Sequence, residues 1–428
     1  MKIVRYPKKE SWRDILSRPE FDLRRTERRV RKILASVRRD GDEALRRFTR
    51  EFDRVELDGL TVSGSEFPEA EKRVQAELKS AIRLARSNIE KFHATQREKI
   101  RRVETTPGVL CWRSPVAIER VGLYVPAGTA PLFSTVLMLA VPAMLAGCRE
   151  IVLCSPPDRN GKIADLILYA AIVCGITKVF KIGGAQAIAA LAYGTETIPR
   201  VDKIFGPGNR FVTCAKQIVS SEVAIDLPAG PSEVAVLADE SCDPVFAAAD
   251  LLSQAEHGPD SQVILVTTSE KVLAETLIEI EKQIADLPRR KIAERSLANS
   301  KAILTNGMNE AIDLVNDYAA EHLILAVENA DEIAEKITNA GSVFIGNYSC
   351  ESAGDYASGT NHTLPTGGFA RSMSGVSLES FVKKITFQKL TDQGVRNIGP
   401  QVAQMAAAEG LDAHRRSISL RLEAVNDL

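Results

Sequence analysis

The sequence has few of the features that mark secreted, membrane or nucleic-acid-binding proteins. Its seven cysteines are scattered and include no Cys-x-x-Cys pair, so neither a disulfide framework nor a cysteine zinc site is expected. The longest apolar stretch, residues 135–145, is interrupted by Pro142 and is too short to cross a bilayer. The formal net charge of −1 gives no reason to expect nucleic acid or an anionic membrane as a partner. Because the N-terminus also has no apolar segment of signal-peptide length, we expect a cytoplasmic protein.

Hydrophobic periodicity divides the chain into helical and mixed segments. At 428 residues it exceeds what one hydrophobic core usually organises, so two or more domains are expected. The first part is helical in character and includes a helix predicted from about residue 68 to residue 93. From residue 121 onward, short apolar runs alternate with helical stretches, which is typical of parallel sheets flanked by helices. The tail beyond about residue 378 is predicted to be helical and amphipathic. The predicted strands are residues 121–125, 151–154, 179–182, 201–204, 234–237, 263–266, 302–304, 323–327 and 343–345.

Two blocks of alternating predicted strands and helices suggest a dinucleotide-binding protein, but the Gly-x-Gly-x-x-Gly fingerprint is missing. The nearest matches are GGAQ at residues 183–186 and GPGN at residues 206–209, each after a predicted strand. Both place small residues between a strand and the start of a helix, where backbone N–H groups can face a phosphate. An ordinary tight turn is the alternative interpretation of each segment.

Four of the five histidines lie among other polar residues. Gln254 and His257 are three residues apart in the last turn of a helix that begins near Pro244, so both project from one face. A histidine at a helix end can also be a cap that the helix dipole stabilises. Glu321 and His322 lie where a helix gives way to a strand, and an adjacent acid and base can each serve proton transfer. A surface pair at a helix terminus is the alternative interpretation.

A third segment, residues 351–362, is rich in small residues and carries Asp355 and His362. Such a loop suits close approach of a ligand, with Asp355 as an oxygen donor to a metal, although a Gly/Ser-rich connector is equally compatible. Glu409 and His414 are expected in a short polar link before the final helix. Gln, His and Asp side chains make a nitrogen- and oxygen-rich ligand set that suits zinc.

Long motifs in this chain resemble the histidinol dehydrogenase family. They are GLYVP at 122–126, GGAQAIA at 183–189, FGPGN at 205–209, IDLPAGPSE at 225–233, SQAEHG at 253–258, EHL at 321–323 and GDYASGTNH at 354–362. The similarity extends in order over essentially the whole chain.

The resemblance implies a set of site residues. It implies one zinc ion per subunit with the ligands Gln254, His257, Asp355 and His414. It implies NAD as the cofactor, contacted by Tyr124, Gln186 and Asn209. Ser232, His322 and Glu409 match positions that touch the substrate, beside the zinc ligands, and His362 lies close by. The tail that carries His414 is implied to be exchanged between subunits of a homodimer, whose active sites are then shared.

For the fold, we expect an α/β protein with two incomplete Rossmann-like parallel-sheet domains and small helical N- and C-terminal segments. The expected parts are an N-terminal segment, a Rossmann-like domain with the catalytic and metal residues, an NAD-contacting Rossmann-like domain and a helical tail. Their expected residues are, in that order, 1–22, then 23–120 with 232–377, then 121–231, and finally 378–428.

The activity that the resemblance implies is oxidation of L-histidinol through L-histidinaldehyde to L-histidine, with two NAD reduced. His322 is the expected base for the alcohol and Glu321 the group that activates water for the aldehyde, while zinc orients the substrate. Relatives that oxidise other small alcohols, such as sulfopropanediol, are an alternative, but the Glu409 and Glu351 carboxylates favour a substrate with a cationic amine. A zinc hydrolase and a non-catalytic nucleotide-binding protein are further alternatives. The latter predicts loss of at least one site residue, and all are present.

Overall fold

The computed structural model describes residues 1–19, 23–127, 131–227 and 230–427. The strands are β1 (Lys2–Arg5), β2 (Arg102–Thr106), β3 (Val109–Ala117), β4 (Arg120–Tyr124), β5 (Glu150–Ser155), β6 (Lys178–Lys181), β7 (Lys203–Phe205), β8 (Ala224–Ile225), β9 (Glu233–Ala238), β10 (Gln262–Thr267), β11 (Lys301–Leu304), β12 (His322–Ala326), β13 (Ser342–Ile345) and β14 (Val382–Leu390). The α-helices are α1 (Trp12–Ile15), α2 (Leu23–Phe52), α3 (Glu66–Arg73), α4 (Ala76–Ala94), α5 (Phe133–Ala146), α6 (Asp165–Val173), α7 (Gly184–Tyr193), α8 (Arg210–Val219), α9 (Pro244–Ala255), α10 (Glu270–Ile284), α11 (Arg290–Ala298), α12 (Met308–Tyr318), α13 (Ala330–Ala334), α14 (Glu351–Tyr356), α15 (Asp392–Ala408) and α16 (Asp412–Asn426).

The first parallel sheet has five strands in the order β6-β5-β4-β7-β8. Its first strand in the chain, β4, lies in the middle. The next two strands are added on one side of β4 and the last two on the other. The direction of strand addition therefore reverses between β4 and β7, which is the arrangement that leaves a crevice at the carboxyl ends of these two strands.

The second parallel sheet has six strands in the order β1-β11-β10-β9-β12-β13. As around β4, the two strands that follow β9 in the chain are added on one side of it, and the next two on the other side. Alternate side chains of β9 enter two separate cores, because successive residues of a strand point to opposite faces. Val234 and Val236 pack in one core, whereas Ala235 and Leu237 pack in the other. Helices cover both faces. The expected α/β class with two parallel sheets is therefore confirmed, and each predicted strand overlaps an observed one.

The N-terminal helices pack on the five-stranded sheet. The long helix α2 contacts α7 and α8, while α3 contacts α6 and α4 contacts α5. The division expected from the sequence, which groups residues 23–120 with 232–377, stays a prediction. An amphipathic pattern shows that a helix has a face to bury but not which sheet receives it. The single helix expected over residues 68–93 is in fact two, because the backbone is extended at Val74 and Gln75.

A third, antiparallel sheet of order β14-β3-β2 was not expected. The strand β14 pairs with β3 along its whole length, from Val382 opposite Ala117 to Leu390 opposite Val109. The prediction of a wholly helical tail beyond residue 378 is therefore wrong. After β14, the helices α15 and α16 pack mainly on each other. None of the helices in the described ranges is long and apolar enough to cross a membrane.

Candidate active site

The amino ends of β9 and β12 bring an acid and a base into the protein interior. His322 begins β12 opposite Val234 of β9, and Glu321 immediately precedes it. Both side chains are buried. The main chain of Glu233 holds them together: its N–H donates to Glu321 Oε2 at 2.9 Å, and its carbonyl oxygen lies 3.2 Å from His322 Nδ1. Because a carbonyl oxygen only accepts hydrogen bonds, Nδ1 carries a hydrogen, and Nε2 is the nitrogen that faces the site.

Two further carboxylates from α14 complete what we call the acid–base cluster, defined as Glu321, His322, Glu351 and Asp355. His322 Nε2 is 3.4 Å from Asp355 Oδ1, and its Nδ1 is 4.0 Å from Glu351 Oε1. Glu351 Oε2 is buried and has no hydrogen-bond partner in the described part of the chain. A buried carboxylate without a partner is costly, so this cluster is chemically incomplete as it stands.

The cluster strongly perturbs its own pKa values. Burial raises the pKa of Glu321 to about 8, although His322 and the Glu233 N–H act in the opposite direction. Burial alone would lower the pKa of His322, but the carboxylates of Glu351, Glu321 and Asp355 outweigh it and raise this pKa to about 10. Burial also raises the pKa of Glu351 well above its ordinary value. Groups of this kind in one interior site are typical of proton-transfer chemistry.

Two members of the cluster, Glu351 and Asp355, form with His257 a set of donors that fits a divalent cation. One ligand atom each from His257, Glu351 and Asp355 lies within 4.8 Å of the other two. Gln254, one turn before His257, turns one end of its carboxamide to Glu351 Oε1 and the other to the Glu233 N–H. With its nitrogen toward Glu351 Oε1 and its oxygen toward the Glu233 N–H, this carboxamide makes a hydrogen bond at each end. Nitrogen and oxygen donors of this kind suit zinc.

The loop after α14 connects this site to the five-stranded sheet. His362 Nδ1 lies 2.9 Å from the carbonyl oxygen of Asp355, and its Nε2 lies 3.2 Å from Thr135 Oγ1. Thr135 is in the first turn of α5, which follows β4. The amino edge of the six-stranded sheet therefore faces the carboxyl edge of the five-stranded sheet.

The three residues expected to contact the cofactor lie together at that carboxyl edge. Tyr124 ends β4, and its hydroxyl accepts a hydrogen bond from Gly184 N at 3.2 Å. Gln186, in the first turn of α7, is buried, and its Oε1 lacks a hydrogen-bond partner among the described residues. Asn209 caps α8, since its Oδ1 accepts from Phe211 N and Val212 N at 3.0 and 3.2 Å. Tyr124 and Asn209 follow the two strands that border the crevice, β4 and β7, whereas Gln186 follows β6.

Comparison with known proteins decides the family. The family model described as histidinol dehydrogenase matches residues 16–422. A histidinol dehydrogenase from Bacteroides thetaiotaomicron is 59% identical over 426 residues, which are 99% of this chain and 100% of that protein. One from Bacteroides fragilis is 58% identical over the same shares. The crystal structure of histidinol dehydrogenase from Elizabethkingia anophelis has a TM-score of 0.97 and 53% identity, and covers 100% of this chain and 99% of that one.

This chain belongs to the histidinol dehydrogenase family. The expected enzyme class, an oxidoreductase, is thereby confirmed, as is the resemblance on which the site residues were chosen.

Not all of the residues expected from the histidinol dehydrogenase resemblance meet at the cluster. Ser232 immediately precedes β9, next to Glu233. Glu409 and His414, by contrast, are exposed on the α15–α16 hairpin. His414 lies within α16 and not in a link before it, as the sequence suggested. Of the expected IDLPAGPSE segment, residues 228 and 229 lie outside the described ranges.

The sequence analysis missed Arg18, whose side chain binds Glu233 and so supports Glu321 and His322. The Arg18 guanidinium donates to both carboxylate oxygens of Glu233 and, at 2.7 Å, to the carbonyl oxygen of Tyr318. Gly367 N donates to Glu233 Oε1 at 3.0 Å. The side chain of Glu233 is thus fixed on one side, while its main chain holds Glu321 and His322. A buried acid at the start of an apolar strand was the available signal, but nothing near it in sequence pointed to Arg18.

Proposed function

We propose that this chain oxidises L-histidinol through L-histidinaldehyde to L-histidine, the last steps of histidine biosynthesis, in the cytoplasm, with reduction of two NAD. The observation that carries the proposal is the buried pairing of Glu321 with His322 on the main chain of Glu233. An alcohol oxidation needs a base for the hydroxyl proton, and an aldehyde oxidation needs a base for water. Two different bases, side by side, fit two such steps.

His322 is the base that we assign to the alcohol. Its Nδ1 is engaged by the Glu233 carbonyl, so its Nε2 is the atom that receives the hydroxyl proton. The neighbouring carboxylates raise its pKa to about 10, which by itself would leave it protonated. A metal cation bound beside Asp355 and Glu351 would weaken the effect of these carboxylates on the pKa of His322. The imidazole would then be more often in its neutral form.

Glu321 is the base that we assign to the aldehyde step. Burial raises its pKa to about 8, which places this carboxylate near the range in which a general base works at neutral pH. The Glu233 N–H fixes Oε2. The side chain is therefore oriented before water is bound, and its carboxylate takes the proton of the water that adds to the aldehyde carbon.

The metal ligands in this proposal are Gln254, His257 and Asp355, with His414 contributed by the tail of a second copy in a homodimer. The exposure of His414 in the single chain supports this arrangement, since the residue is available to another subunit. Zinc held there would anchor the imidazole and amine of the substrate and orient its alcohol carbon. Ser232, His322 and Glu409 would contact the substrate as well.

The cofactor is assigned to the carboxyl edge of the five-stranded sheet, within residues 121–231, at Tyr124, Gln186 and Asn209. Support comes from Tyr124 and Asn209, which end or follow the two strands that border the β4–β7 crevice, where dinucleotides bind in sheets of this strand order. NAD bound there supplies the hydride acceptor. The facing edges of the two sheets, joined through His362 and Thr135, would bring substrate and cofactor together.

The decisive experiment measures NADH formed by the purified, zinc-loaded protein given histidinol, with and without a chelator. We expect two NADH for each histidinol consumed, loss of activity on chelation and recovery on addition of zinc. Omission of NAD is the control for a zinc hydrolase, which would still consume its substrate. A folded, zinc-bound protein that forms no NADH from histidinol would contradict the proposed substrate, and other small alcohols would then be tested.

A further inference from the structure

A buried ion pair at the carboxyl edge of the five-stranded sheet takes no part in the chemistry described above. It joins Lys216 of α8 to Asp226, which follows β8, and the two side chains are 2% and 1% exposed. Both groups also bind the main chain of Gly206, the first residue after β7. Lys216 Nζ donates to the Gly206 carbonyl oxygen at 2.8 Å, and Gly206 N donates to Asp226 Oδ2 at 2.7 Å. The pair therefore binds both main-chain polar groups of Gly206, its N–H and its carbonyl oxygen.

Gly206 occupies a position that only glycine can fill. Its φ is +127°, and a Cβ atom there would lie 2.1 Å from the carbonyl oxygen of Tyr124. The loop that it begins, residues 206–209, thus passes directly against the end of β4 and leads to Asn209 and the first turn of α8. Because the loop lacks a side chain at this point, its position depends on the groups that bind its main chain.

Stability alone gives a weak reason for burying this pair. Removing two charges from water is costly, and a buried ion pair can often be replaced by apolar side chains of similar volume with little loss of stability or with a gain. What apolar side chains cannot do is bind the N–H and carbonyl groups of Gly206. Asp226 also accepts a hydrogen bond from Leu227 N at 2.7 Å. The pair therefore fixes two loops at the same edge of the sheet.

We propose that Lys216 and Asp226 are positioning residues for the dinucleotide, which act by holding Gly206 and thereby the loop that carries Asn209. This inference rests on the proposed function, because it takes NAD as the ligand of this edge. It assigns the pair to cofactor binding and not to the oxidation steps. Loss of the pair should weaken NAD binding while substrate binding at the other sheet is unchanged.

The test replaces both members at once, with Lys216→Met and Asp226→Leu in one protein, so that neither charge is left buried without its partner. We expect this double variant to fold, with a lower thermal midpoint than the unchanged protein, because the main-chain groups of Gly206 and Leu227 N lose their side-chain partners. Its KM for NAD should rise about 10-fold, whereas its KM for histidinol and its kcat at saturating NAD should change by less than about twofold. Calorimetric titration with NAD should show the same loss of affinity.

Lys203→Met is the matched control. Lys203 begins β7 and is close enough to Asp226 to interact with its charge, but its Nζ donates to the Ser380 carbonyl oxygen at 2.8 Å and makes no hydrogen bond to Gly206 in the described structure. We expect this variant to change stability without changing the KM for NAD.

A folded double variant with an unchanged KM for NAD would overturn the proposal and leave the pair a purely structural one. If the double variant does not fold, Lys216→Arg alone decides, since it keeps the charge but changes its geometry. An unchanged affinity for NAD in that variant would also overturn the proposal. Failure of the proposed function is distinguishable, because the unchanged protein would then neither bind NAD nor reduce it with histidinol.

Discussion

The two parallel sheets have the same order of strand addition but present candidate sites at opposite edges. In the five-stranded sheet, Tyr124, Gln186 and Asn209 lie at the carboxyl edge. In the six-stranded sheet, Glu321 and His322 lie at the amino edge, at the start of β12. Ligands of open α/β sheets usually bind at the carboxyl edge, so the six-stranded sheet departs from the rule that the other sheet follows.

The loops at the carboxyl edges of the two sheets are held in different ways. Between β4 and β7, Gly206 has no side chain, and its main chain packs directly against that of Tyr124 at the end of β4. At the carboxyl ends of β9 and β12, Asp239 joins the two following loops through its side chain. Its Oδ1 accepts from Ser241 N at 2.9 Å and from Ser241 Oγ at 2.6 Å, and its Oδ2 accepts from Glu328 N at 3.0 Å. The two edges therefore differ in how their loops are held, by main-chain packing at Gly206 in one sheet and by side-chain hydrogen bonds of Asp239 in the other.

At the amino edge, the largest effect is expected from His322→Asn. The asparagine amide can still donate to the Glu233 carbonyl, so the fold of the site should persist, but the atom in the place of Nε2 is lost. We expect the rate of histidinol oxidation to fall by about 10²–10⁴-fold. NADH formation in the presence of saturating histidinol and NAD measures it. Activity equal to that of the unchanged protein would exclude His322 as the base.

Glu321→Gln should separate the two oxidations. Glutamine keeps an oxygen for the Glu233 N–H but cannot take a proton from water. Oxidation of histidinaldehyde should therefore fall by about 10²-fold or more, and oxidation of histidinol should fall less. Single-turnover measurements with each substrate distinguish the steps. Equal losses in both would contradict the division of roles between Glu321 and His322.

Arg18→Lys should have a smaller effect that is shared by both steps. The guanidinium binds both oxygens of Glu233 and the Tyr318 carbonyl, and an ammonium group cannot reproduce that fork. Because Glu233 orients Glu321 and His322 together, kcat for the two oxidations should fall in parallel, by about 10-fold. Arg5→Lys is the control, since Arg5 makes a similar but exposed pair with Glu270. A loss confined to one step would show that Glu233 does not position both groups.

The difference between the sheets also shows what the sequence could predict. The buried strands were predicted correctly because parallel strands covered on both faces are continuous apolar runs in the sequence. Gln254 lies in the last turn of α9 as predicted, but His257 lies beyond the end of that helix, which stops at Ala255, so the prediction that both residues share the last helical turn is wrong for His257. The antiparallel strand β14 was missed because its exposed, mixed sequence resembles an amphipathic helix, and its partner β3 is far away in the chain. Arg18 was missed for the same reason, since 215 residues separate it from Glu233.

The smallest effect on activity is expected at the carboxyl edge of the six-stranded sheet. Asp239→Ala removes an acceptor from three donors in two loops, and these donors are partly accessible to water. We expect a loss of about 1 kcal/mol in the free energy of unfolding, measured by urea denaturation, and KM values for histidinol and NAD within about twofold of the unchanged ones. Binding should be unchanged because the residues proposed to contact histidinol and NAD lie at the other edges of the two sheets. A marked rise in either KM would mean that the edge takes part in binding after all, and that Asp239 does more than join the loops that follow β9 and β12.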